Sequence, residues 1–99
     1  MVVLVLRTVV NAISMDDYRQ WERLCFLPIF QRSSGCTGVL FLRGSAGDCW
    51  ILAFWKDSQS VNTLQSSEVY QQIMQESATM TLESETWILE TVTEFFSTG

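Results

Sequence analysis

Histidine is absent from this 99-residue chain, which also holds only one proline and three cysteines. Each shortage removes a class of chemistry. Without imidazole, the serine and cysteine triads that use histidine as the base are excluded, and a metal site loses its commonest ligand. Cys25, Cys36 and Cys49 are odd in number and make no C-x-x-C pair, so neither a disulfide framework nor a zinc cluster is encoded. Cys49 in a strand and Cys25 in a helix read as small buried hydrophobes. Cations are scarce too: six Lys and Arg against eleven Asp and Glu give a net charge of −5. That leaves no basic stripe for a phosphate backbone and excludes nucleic acid as a partner. No Gly-rich phosphate loop is present, and no metal, flavin or haem cofactor is expected. No apolar run approaches the roughly 18 residues of a membrane span. The N-terminal MVVLVLRTVV lacks a basic leader and is broken by Arg7, so it reads as a strand rather than a signal peptide. A soluble, cytoplasmic protein with no membrane partner follows.

What is present is core. Hydrophobic residues make up 47% of the chain, enough for one domain over residues 1–99 and too few residues for two. Val2 to Val10 reads as a first strand, with Asn11 at its end. Ser14 then stands as a helix N-cap, Asp17 occupies a capping-box-like place, and Asp16 and Asp17 favour the positive end of the helix. Tyr18, Trp21, Leu24 and Cys25 recur at helical spacing as an apolar stripe, with Arg19, Gln20, Glu22 and Arg23 on the other side. Pro28 predicts a kinked last turn, running to about Arg32, with Gly35 at the C′ position of the exit. Gly38 to Arg43 is a second strand, joined by a Gly44–Gly47 hairpin to a third over Asp48 to Lys56. Asp57 or Ser58 starts a short helix, and Ser66 or Ser67 restarts a second piece. Ala78 to Glu85 reads as polar and irregular, and Thr86 to Phe96 as the last strand.

The order β-α-β-β-α-β is the split βαβ arrangement of α+β, ferredoxin-like folds: a four-stranded antiparallel sheet with helices on one face. The first and third strands are apolar at successive positions, and strands of that kind are buried on both faces. Two helical regions cover only one. The bare face would carry on the order of 500 Å² of apolar surface, at the limit of what a monomer exposes, so a homodimer packed through the sheets is expected.

The stretch WKDSQSVNTLQSSEVYQQIM, Trp55 to Met74, resembles the antibiotic-biosynthesis monooxygenase (ABM) domain of the dimeric α+β barrel superfamily. It shares a tryptophan ending the third strand, a Ser/Asp step, and a serine followed by an aromatic residue three or four positions on. FLPIFQRSSGCTG resembles the family's exit from the first helix. The resemblance covers nearly the whole chain. It implies sheet-to-sheet dimers, a pocket between sheet and helices in each subunit, and, in some members, oxygenation of quinol or polyketide-like substrates without metal or flavin. The haem-degrading branch has an asparagine at about Leu6 and a histidine at about Met74, and this departure argues against haem degradation.

On that resemblance Trp55 is the first candidate catalytic residue, joined by Tyr70 and Asn11, with Trp21, Leu6 and Met74 lining the pocket. Each has a structural alternative: Trp55 and Tyr70 as core aromatics, Asn11 as a turn former. Arg7, a charge within an apolar strand, needs a partner, and Glu90 or Glu94 is the expected one. The pocket should be aromatic and poor in general bases, suited to a small, planar aromatic or quinol-like molecule. A cofactor-independent monooxygenase is one reading. A non-catalytic dimeric module that binds a small hydrophobic ligand or a protein partner is the alternative, and a third is a pocket closed by Trp21, Trp55 and phenylalanine side chains.

Overall fold

Val2–Val10 alternates between two environments, with Val5 the one odd-numbered residue that is also buried, and this alternation organises the molecule. The computed structural model describes residues 1–97. In β1 (Val2–Val10) the even-numbered residues Val2, Leu4, Leu6, Thr8 and Val10 are buried beneath helices, while Val3, Arg7 and Val9 on the opposite side are only half-buried. The same alternation marks β3 (Cys49–Trp55): Cys49, Ile51, Ala53 and Trp55 are buried, and Trp50, Leu52 and Phe54 are half-buried. With β2 (Cys36–Arg43) and β4 (Thr81–Glu90) these strands form one antiparallel sheet in the order β2-β3-β1-β4. The β2–β3 hairpin closes through Gly44 and Asp48, whose backbone hydrogen bond is 2.8 Å long.

The covering layer begins with a 3-10 turn over Ala12–Ser14 and α1 (Met15–Trp21). A π-helical turn over Glu22–Phe26 leads into α2 (Leu27–Arg32). Ser14 makes no side-chain cap. Asn11, three residues earlier, accepts the Ile13 N–H at 3.1 Å instead, because the chain leaves β1 through the 3-10 turn before α1 starts. Pro28 is the second residue of α2, directly after the π turn with no break in the helical backbone, so its missing N–H falls where the hydrogen-bond ladder is already irregular. The helix ends at Arg32 as predicted. Gly35 comes one residue later than the C′ place, two past the Ser33 cap, with a φ of 88° that suits glycine. In α3 (Ser58–Gln65) and α4 (Glu68–Ala78) the competing caps resolve to Asp57, whose Oδ1 accepts the Ser60 N–H at 2.8 Å, and Ser67, whose Oγ accepts the Tyr70 N–H at 3.2 Å.

Three expectations are corrected. The last strand begins at Thr81 and ends at Glu90, not Thr86 to Phe96. As the edge strand it is wet on both faces, so its N-terminal half is polar without being loop. Its ladder with β1 runs out where Thr91 N–H meets the Met1 carbonyl at 2.9 Å, and Val92, Phe95 and Phe96 are left exposed. Cys25 is exposed rather than buried, as is Leu24. The π turn accommodates an extra residue, which rotates these two outward and turns Phe26 inward, while Glu22, at its start, keeps the inward face it shares with Tyr18.

Arg7 also has other partners. The register places it beside Glu85 and across from Trp50, far along the strand from Glu90, which pairs with Val2. Its guanidinium bonds Asp48 at 2.9 Å, Glu85 at 3.0 Å and Glu83 at 3.1 Å. Trp50 stacks on Trp87 with centroids 6.2 Å apart, and its indole N–H donates to Asp48 at 3.0 Å. Burial by itself would raise the Asp48 carboxyl, but hydrogen bonds from Arg7, its own backbone and Trp50 hold it below the ordinary carboxylate range. A depressed folded value means stability that is present at neutral pH and lost as pH falls through that value. Thermal melts on a descending pH series are therefore expected to show an acid limb that flattens in Asp48→Asn. An unchanged limb would exclude Asp48 as its source.

The other sheet face carries Val3, Val5, Leu40, Leu42, Trp50, Leu52, Phe54, Trp87 and Leu89, and no helix packs on it. Leu40, Leu42 and Leu89 are exposed. Among the described residues no helix is long and apolar enough to cross a membrane.

Candidate functional site

Between the helices and the inner sheet face lies a continuous layer of rings. Phe26 is its hub, with centroid distances of 5.0 Å to Trp21, 4.9 Å to Phe30, 6.3 Å to Tyr70 and 6.5 Å to Phe41. Phe30 in turn meets Trp55 edge-on at 6.3 Å, and Trp21 meets Tyr18 at 5.3 Å. Trp55, at the end of β3, is completely buried. Thus Trp55, Tyr70 and Trp21, named separately from sequence, belong to one layer. Leu6 is buried in the sheet beneath the helices, and Met74 packs on the same core from α4. Asn11 stands apart at the end of β1, with its side-chain oxygen engaged in the 3-10 turn and its N–H bonded to the Met80 carbonyl.

Among the described residues, two donors in this layer have no acceptor: the indole N–H groups of Trp21 and Trp55 are buried without a hydrogen-bond partner. Leaving such a group unsatisfied costs about 1–3 kcal/mol. The Trp50 indole on the other sheet face, by contrast, is paired with Asp48. The Tyr70 hydroxyl is raised above its ordinary pKa by burial, against a smaller opposing pull from Gln65, so it is a neutral donor at physiological pH.

A polar track runs alongside the rings. Thr8, Tyr18 and Glu22 are all buried, and the Tyr18 hydroxyl interacts with both Thr8 and Glu22. Arg19 holds one carboxylate oxygen of Glu22 at 2.9 Å, while among the described residues Glu22 Oε2 and Arg19 Nε make no hydrogen bond of good geometry, the Tyr18 hydroxyl being the nearby donor to the carboxylate. Burial raises the Glu22 pKa, and Arg19 only partly opposes the shift. Sequence reasoning placed Glu22 on the solvent side because of its charge. The overlooked signal is spacing: Glu22 stands four residues after Tyr18 and so shares its face.

Two cavities open at the rim of the layer. One, of about 320 Å³, is lined by Arg19, Glu22, Arg23, Leu27 and Phe41. The other, of about 550 Å³, runs from Ile29 and Arg32 past Lys56 to Leu64 and Val69. The larger has the poorer chemistry: its carboxylate, Asp57, is occupied in capping α3. Neither is lined by Trp55, Tyr70 or Asn11.

No family model matches the sequence, and no curated protein matches it. Solved structures do match over nearly its whole length. A protein from Deinococcus radiodurans, provisionally named an antibiotic biosynthesis monooxygenase, superposes with a TM-score of 0.83 at 14% identity, covering 100% of both chains. A Nitrosomonas europaea protein with the same provisional name gives 0.80 at 12% identity, over 94% of this chain and 100% of that one. A variant of SnoaB, a cofactor-independent oxygenase from Streptomyces nogalater, gives 0.78 at 16% identity over 94% of each chain. At these identities the likeness is one of fold: the chain is an ABM-like α+β domain.

Proposed function

We propose that this ABM-like domain is a cofactor-independent monooxygenase for a small aromatic or quinol-like substrate, acting as a homodimer. The observation that carries the reading is the pair of buried, unpartnered indole N–H groups, Trp21 and Trp55, set in a layer of aromatic rings between sheet and helices. A planar electron-rich substrate would stack in that layer and present an oxygen to those donors. The SnoaB likeness supports the same chemistry.

Substrate supplies the electrons. Its deprotonated hydroxyl feeds electron density to molecular oxygen, a C–O bond forms at a ring carbon, and the resulting hydroperoxide loses water to leave a carbonyl. One oxygen atom ends in the quinone product and one in water. The protein contributes position and hydrogen bonds to the oxygen that gains charge. Entry requires the layer to part, and Phe26, its hub, ends the π turn. Dimerisation follows from the helix-free sheet face and from the exposed Val92, Phe95 and Phe96 beyond β4. The closely packed layer favours one competing reading, a dimeric module that holds a hydrophobic ligand without turnover.

The test is an oxygen-electrode assay on a quinol and polyphenol panel, run with fluorescence quenching of the tryptophans. Oxygen uptake matched to quinone formation, with no metal or flavin added, is expected. Tight quenching without uptake would transfer the case to the binding module, and neither signal would leave the dimer as purely structural.

A further inference from the structure

Among the described residues, Glu22 is a carboxylate that this fold brings inward with one oxygen left open. It is 4% exposed, yet it forms part of the wall of the 320 Å³ cavity between the first helical segment and β2. Arg19 satisfies its Oε1, while its Oε2 and the Arg19 Nε are buried with no hydrogen bond of good geometry. A purely structural ion pair gains most when every polar atom on it is bonded, because a half-satisfied buried pair is a net cost. Here, among the described residues, one acceptor on Glu22 and one donor on Arg19 lack a bond of good geometry, with the Tyr18 hydroxyl the nearby protein donor, and Glu22 begins a π turn, a backbone irregularity common at functional sites. The cavity's remaining wall is Arg23 at the mouth, with Leu27 and the Phe41 ring, and Phe41 also meets Phe26 of the aromatic layer. A carboxylate and a guanidinium, each with an open polar atom and both in the wall of a cavity that also holds an aromatic ring, match one ligand group once their side chains turn toward it: a hydroxyl on an aromatic ring, which donates through hydrogen and accepts through oxygen.

We propose that Glu22 anchors a phenolic or enolic hydroxyl in this cavity and accepts its proton, with Arg19 holding the oxygen left behind. The ligand O–H bond breaks, the proton moves to Glu22 Oε2, and the electron pair stays on the ligand oxygen beside the guanidinium. No electron is exchanged in this step. The groups facing Glu22 are Arg19 and Tyr18 from α1, Arg23 from the π turn and Cys49 from β3, with Thr8 from β1 on the Tyr18 hydroxyl. Burial raises its proton affinity, which fits the role of acceptor for a weak acid. The inference deepens the oxygenase reading and rests on it for turnover, since a deprotonated substrate is what oxygen attacks; the binding step stands without it.

The probe is 4-nitrophenol, with 4-nitroanisole as its partner lacking the hydroxyl, titrated into the full chain. Wild type is expected to bind the phenol about 10-fold or more tightly than the ether, the range for one hydrogen bond to a charged group. Above the phenol's own pKa it should take up one proton per molecule bound, read by calorimetry in buffers of different ionisation enthalpy. Glu22→Gln keeps the shape and removes the base, so it should bind without proton uptake and lose no affinity as pH rises. Equal affinity for phenol and ether in wild type would overturn the proposal without any variant having to fold. Proton uptake unchanged in Glu22→Gln would also overturn it. Phenol binding with proton uptake but no oxygen consumption by any quinol would sink the oxygenase reading and leave this one standing. Quinol oxidation unaffected by Glu22→Gln would do the reverse.

Discussion

Leu52→Asp is expected to convert the proposed homodimer into a folded monomer of 11.3 kDa. Leu52 lies at the centre of the helix-free face, paired with Val5 on one side and Leu40 on the other. It is half-buried in the single chain, so an aspartate there stays hydrated when the subunits are apart. When two such faces meet, the carboxylate loses that water without gaining a partner, a cost of about 3–5 kcal/mol for an unpaired buried charge. Association should weaken by at least about 10²-fold. Phe54→Asp, one step along the same face, should act similarly. Ala53→Asp is the contrasting control: Ala53 points under the helices and is fully buried, so its substitution should unfold the chain. Sedimentation with circular dichroism separates these outcomes. Wild-type association in Leu52→Asp would exclude this face as the interface, and a wild-type monomer at micromolar concentration would exclude the dimer itself.

Trp55→Phe is the second large effect, and it separates function from packing. The change removes the unpartnered indole N–H while keeping a ring in contact with Phe30. If that N–H bonds the oxygen that becomes charged during oxygenation, turnover of a quinol should fall about 10²-fold or more. Stability should change little by comparison, because the lost ring volume is offset by removal of an unsatisfied buried donor. Trp55→Ala, which empties the space, should cost about 3–5 kcal/mol in denaturant unfolding. Tyr70→Phe, read in the same assay, tests the buried hydroxyl. Full activity in both phenylalanine variants would place the chemistry elsewhere in the molecule.

The sequence alone determined those features that depend on neighbours a few residues apart. Val2 to Val10 and Cys49 to Trp55 announce strands through their β-branched and aromatic content. The Asp57-Ser58 and Ser66-Ser67 pairs announce helix starts, and the structure selects Asp57 and Ser67, whose side chains reach N–H groups three residues on. Counting apolar faces against available helices then gave the four-stranded sheet with one bare side. The Trp55 to Met74 stretch carried the resemblance that the superpositions bear out as a fold.

Tertiary structure decided what depends on pairing between distant segments. The start of β4 at Thr81 is set by the ladder with Val10 and Val9, and a strand held at a wet sheet edge needs no hydrophobic pattern to be one. Arg7 meets Asp48, Glu83 and Glu85 because strand register puts them across from it, and no spacing along the chain encodes register. The rest turns on one added residue per turn between Glu22 and Phe26. Helical periodicity of 3.6 assumes an unbroken ladder, and the π turn breaks it by a rotation that sends Cys25 out and Phe26 in. Phe26 and the rings around it are brought together by that rotation and by the sheet they are pressed against, whereas Glu22 reaches the same region through its ordinary helical spacing from Tyr18.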